Sequence, residues 1–71
     1  MRQKDIDQLA DIWANEVRTL DPIEAPGMEV AIGQVVRTLK YAQAFNANLD
    51  FTRLEALVQD CRNIQSEAAT T

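Results

Sequence analysis

The chain has 71 residues, 46% of them apolar, with eleven acids against seven bases, no histidine and a formal charge of −4. A chain this short forms one domain and buries only about 60% of the surface it exposes when unfolded. Cys61 is the only cysteine, so disulfides within the chain are excluded. Without histidine or a second thiol a zinc site has no ligand set either, and no cofactor is expected.

Residues 1–5 are polar and are expected to fray. From Ile6 the apolar residues Ile6, Leu9, Ala10, Trp13, Val17 and Leu20 recur at helical spacing within about 100° of arc. Asp7, Asp11, Asn15 and Arg18 lie opposite, and Asp5 is placed to cap the helix start. Ile12 sits on the flank of this stripe, where a monomer would leave it partly exposed.

Asp21-Pro22-Ile23-Glu24-Ala25-Pro26-Gly27 interrupts the pattern. Its prolines cannot continue a helical ladder and push their predecessors toward extended geometry. Asp21-Pro22-x-Glu24 reads as a one-turn capping box that Pro26 then stops. The segment is expected to be a rigid connector between antiparallel helices; a ligand contact is the other reading.

The stretch from Met28 to Asn46 predicts a long helix with more apolar surface than one partner can cover. Met28, Ala31, Ile32, Val35, Val36, Leu39 and Ala42 form one broad face, while Val30, Tyr41 and Phe45 form a second, separate side. A helix apolar nearly all round is normally buried in a larger assembly. Residues 30–46 hold no acid and two bases, Arg37 and Lys40, whereas residues 1–29 hold seven acids against three bases. Gly33 costs about 1 kcal/mol against alanine within a helix and suggests close approach of a neighbour. Asn46-Ala47-Asn48 is expected to end the helix.

A third helix follows, with Asp50 as its cap and Leu49 and Leu54 placed as a hydrophobic staple. Phe51, Leu54, Leu57, Val58, Cys61 and Ile64 share one face. Gln65 to Thr71 has no apolar period and is expected to fray. The fold class is therefore all-α: an antiparallel hairpin of two long helices plus a third short helix, one domain over residues 1–71. The excess apolar surface predicts a homodimer.

Tyr41-Ala-Gln-Ala-Phe-Asn-Ala-Asn-Leu-Asp-Phe-Thr-Arg-Leu-Glu-Ala-Leu-Val-Gln-Asp-Cys61 resembles the C-terminal half of small helical accessory proteins encoded in bacteriophages and prophages. These pair a long helix with an N-P-x-F-D-x-x-R-F-x-x-A-C type stretch, and Asn46, Leu49, Asp50, Arg53, Leu54 and Cys61 stand near the matching positions. Ala47 replaces the proline, leucines replace both phenylalanines, and the spacing to Cys61 is longer. The resemblance implies an accessory protein of a phage or mobile element that acts on a host protein.

Catalysis finds little support. Cys61 lies on an apolar face without a histidine to activate it, and Asp7 and Asp11 lie on a face expected to be solvated, without the burial that acid–base work requires. Gly27 and Gly33 are the only glycines, so there is no glycine-rich phosphate loop. The chain is read as not an enzyme. A helix-turn-helix DNA-binding regulator is the alternative in another class, but Asp50, Glu55 and Asp60 oppose Arg53 and Arg62 on the third helix, and the acidic balance argues against binding phosphates. A structural subunit of a larger assembly is a further possibility. With no apolar leader and no span of about 20 apolar residues, a cytoplasmic location without membrane contact is expected. The candidate surface for a host or cognate protein, or for a second copy, is Ile12, Val30, Arg37, Tyr41 and Phe45.

Overall fold

The computed structural model describes residues 2–42 and 49–70, and all three elements found in them are helices. These are α1 (Gln3–Arg18), α2 (Ala25–Ala42) and α3 (Thr52–Thr70). The molecule measures 44 × 19 × 15 Å, and its radius of gyration of 13.0 Å exceeds the about 11 Å of a spherical chain of this length.

Helix α1 buries Ile6, Ala10 and Val17, with Leu9, Trp13 and Leu20 half-buried beside them. It begins earlier than its apolar period suggests. Asp5 is not the residue before the helix but its third residue, and its carboxylate accepts the backbone N–H of Arg2 at 3.0 Å. Fraying at this end is opposed by Gln3, whose amide is fastened to the backbone at Asp50.

Helix α2 buries Ala25, Ile32 and Val36, with Met28, Val35 and Leu39 half-buried. The core face is narrower than the apolar pattern implies, since Ala31 and Ala42 are exposed. Pro26 does not stop the preceding turn. Ala25 N–H reaches Asp21 O at 3.1 Å and Met28 N–H reaches Glu24 O at 3.1 Å, so the turn at 21–24 runs straight into α2. A proline in the first turn forfeits little, because N–H groups there have few intrahelical acceptors. Gly33 is not a point of close approach either: a Cβ placed there would meet nothing within 4 Å. The helix break expected at Asn46-Ala47-Asn48 lies outside the described residues.

Helix α3 is the longest of the three at 19 residues, not a short third element. It continues through Gln65, where fraying was expected, to Thr70. Gln65 Nε2 donates to Glu29 Oε1 at 2.8 Å and to the Cys61 carbonyl at 3.1 Å, which supports the first part of that extension. The Phe51 carbonyl accepts the first helical bond from Glu55 N–H at 2.9 Å. Asp50 therefore caps from one residue further out than expected: its carboxylate takes the Thr52 N–H at 2.9 Å. Protonation would end that bond, and the Thr52 hydroxyl and N–H together hold the Asp50 carboxyl below its ordinary value.

Packing is tightest between α2 and α3, with α1 laid against α3. Arg62 Nε donates to Glu29 Oε2 at 3.0 Å, joining the start of α2 to the far part of α3. Lys40 pairs with Glu55 and sits 5.9 Å from the centre of the Phe51 ring, joining the end of α2 to the start of α3. These two links run α2 and α3 in opposite directions. The core is Ile6, Ala10, Val17, Ile32, Val36, Phe51, Leu54, Leu57 and Cys61. No buried side-chain polar atom lacks a partner among the described residues.

Candidate interaction surface

The exposed large apolar residues among those described are Ile12 (59% exposed), Ile23 (87%), Val30 (56%) and Tyr41 (85%). Three of the four belong to α2 or the turn leading into it. On that helix Val30 and Tyr41 point roughly opposite to Ile32 and Val36, because 100° per residue separates the two sets by nearly half a turn. Arg37 is exposed on the same side as Val30 and Tyr41. The structure thus groups Val30, Arg37 and Tyr41 on one outer stripe of α2, while Ile12 stands on α1. Phe45 lies outside the described residues.

Two shallow hollows open on α2, one on its flank and one beside the outer stripe. One, of about 390 Å³, is bordered by Ala31, Gln34, Val35, Thr38 and Leu39. The other, of about 330 Å³, is bordered by Arg37, Thr38, Tyr41 and Ala42. Both are walled by a single helix and face solvent, so they suit a side chain pressed in from outside better than an enclosed small molecule.

Sequence reasoning missed Ile23. Its signal was its setting: an isoleucine between Pro22 and Pro26 in a connector, a kind of segment that runs over the surface.

The charged groups mainly tie helices together. Arg53 on α3 pairs with Asp11 and reaches the Asp7 carbonyl at 3.4 Å. Of the two acids one turn apart on α1, Asp11 thus gives its carboxylate to a cation on a neighbouring helix, while the Asp7 carboxylate accepts from Gln3 Nε2 at 3.2 Å. Glu29 accepts from both Gln65 and Arg62, and those bonds hold its carboxyl below the ordinary value. Cys61 is fully buried. Burial pushes its thiol pKa up, and the Glu29 and Asp60 carboxylates push the same way, so the reactive thiolate is disfavoured.

Among the described residues no group of three or more cysteines and acids is placed to hold a metal ion. No helix in them is long and apolar enough to cross a membrane. Compared with known proteins, the chain matches no family model, no curated protein and no solved structure. What the fold and surface define, among the described residues, is a small helical protein whose α2 has a core side and an outer side that exposes Val30 and Tyr41 among polar residues.

Proposed function

We propose that this chain is an acidic protein–protein interaction module that works as a cytoplasmic homodimer and binds a host protein, inhibiting or redirecting it by covering a functional surface. The carrying observation is the exposure of Ile12, Val30 and Tyr41 on two helices whose other faces already complete a core. Large apolar side chains, aromatic ones above all, supply much of the energy of protein contacts when they enter a dry interface. In this reading the outer stripe of α2 joins two copies, and the Ile12 side of α1 meets the other protein. Helix α3, packed against both α2 and α1, is the scaffold that holds both surfaces, and no catalytic group is required. The phage or mobile-element setting comes from the resemblance around Tyr41–Cys61.

Capture from host lysate by the immobilised protein tests the reading when Ile12→Glu is run beside the natural chain. The expected result is one or more proteins retained by the natural chain and lost by Ile12→Glu, with circular dichroism unchanged. Retention of identical proteins by both would contradict it.

A further inference from the structure

Helix α1 is joined to the rest of the molecule differently at its two ends. At its C-terminal end the backbone ladder stops. Leu20 N–H reaches Val17 O at 3.2 Å, and the next turn opens with Glu24 N–H to Asp21 O at 2.9 Å. Among the described residues no backbone hydrogen bond crosses the Leu20–Asp21 junction, and Pro22 has no N–H with which to carry the ladder over. The opposite end, about 25 Å away along the helix, is fastened by polar groups. Gln3 clamps the Asp50 backbone with two hydrogen bonds, and Arg53 holds the Asp11 carboxylate and the Asp7 carbonyl. Between these ends α1 packs on α3 and scarcely approaches α2.

The α2–α3 pair is held at both ends by links of its own. Glu29, near the start of α2, accepts from Arg62 and Gln65, while Lys40, near its end, pairs with Glu55 and lies over Phe51. On α3 the residues that meet α2, namely Phe51, Glu55 and Arg62, recur at helical spacing on one side, and Val58 falls among them. Arg53, which faces α1, is followed one turn later on its own side by Leu57. Leu54 and Cys61 lie between the two sides, and both are fully buried.

We infer that α1 is a hinged strap, which lifts off the α2–α3 pair about the Leu20–Asp21 junction and uncovers Leu54, Leu57 and Cys61 while that pair stays folded. A few residues at the end of an element suffice to absorb such a motion, and proteins open in cooperative units at less than the cost of full unfolding. Ile6, Ala10 and Val17 give the strap its apolar grip, so the closed form predominates. Its latch consists of exposed polar groups, which exchange their bonds for water at small net cost. Lifting α2 would instead break links at both of its ends. The motion leaves the outer side of α2 untouched, so it stands apart from the binding role proposed above. Its product is a second apolar face that the closed molecule hides.

Cys61, the only cysteine, reports the motion. Its alkylation by iodoacetamide is followed by mass spectrometry in urea concentrations below the unfolding transition, and global unfolding is measured at the same protein concentration by circular dichroism. With closing fast relative to labelling, the rate gives the population of the open form. The expected rate in buffer is at least about tenfold above what global unfolding allows, and it depends less steeply on urea because less surface is exposed. A rate equal to the global value, with the full urea slope, would overturn the strap. Gln3→Ala removes the clamp and is expected to speed labelling about fivefold. Val58→Ala loosens α2 against α3 in the closed and lifted forms alike, so the urea midpoint should fall while the labelling rate holds. Labelling that accelerates in Val58→Ala in step with its lost stability would overturn the inference, since Cys61 would then be reached only through complete unfolding.

Discussion

Both sides of α2 carry large apolar residues, and they are treated in opposite ways. On the inner side Ile32 is fully buried and Val36 nearly so, among side chains from α1 and α3. On the outer side Val30 is more than half exposed and Tyr41 almost wholly so. The contrast shows that apolar content alone does not place a residue in a small core. Among the described residues α3 packs along α2, and no further helix covers the side that carries Val30 and Tyr41. Inner residues set stability, and in the function proposed above the outer residues set association.

Truncating the inner side should have the largest effect. Leu54 is fully buried in the core, so Leu54→Ala is expected to destabilise the fold by about 2–5 kcal/mol, measured by urea unfolding followed by circular dichroism. A smaller loss is expected where α1 is fastened to α3. Gln3 accepts the Asp50 N–H at 2.7 Å and donates to the Asp50 carbonyl at 3.0 Å, so its amide closes a two-bond clamp. Gln3→Ala should cost about 1 kcal/mol and increase amide exchange in α1 ahead of α2.

Asp50 and Glu29 give the comparison a pH dependence. Both carboxyls lie below their ordinary values of 3.8 and 4.5 because the fold donates hydrogen bonds to the ionised forms. Their contribution is present above those ordinary values and is lost as pH falls through the lower folded ones. The urea midpoint should therefore hold from pH 7 to about 5 and drop below about 4. Asp50→Ala should lower the midpoint at pH 7 and flatten the acid part of the curve. Smallest of all should be the effect of Tyr41→Glu on intrinsic stability, within about 0.5 kcal/mol as for an exposed site. That variant should instead abolish the rise of the midpoint with protein concentration that a dimer shows.

Much of this contrast was legible in the residues. The faces Ile6–Ala10–Val17 and Phe51–Leu54–Leu57–Cys61 were marked by their period, and the structure buries all seven. Val30 and Tyr41 were separable because they fall on a second side of their helix. Less legible was which helices would pair. Loop prolines suggested that the first two helices pack together, whereas α2 packs most closely on α3 and α1 lies along α3. Periodicity reports which face is apolar, not which neighbour covers it. The links that fix the arrangement, Gln3 to Asp50, Arg53 to Asp11, and Glu29 to Arg62 and Gln65, join residues far apart in the chain. Polar side chains carry no period that announces such partners. The third helix outran its apolar stripe for a related reason, since its extension past Ile64 begins with hydrogen bonds from Gln65 and not with packing.

Sedimentation equilibrium of the natural chain beside Tyr41→Glu, from 5 to about 100 µM, bears most directly on the division of α2 into a folding side and an associating side, because micromolar dissociation constants correspond to only about 8 kcal/mol. The account gives a reversible dimer for the natural chain and a helical monomer for the variant. A natural chain that stays monomeric throughout, or a variant that unfolds, would contradict it.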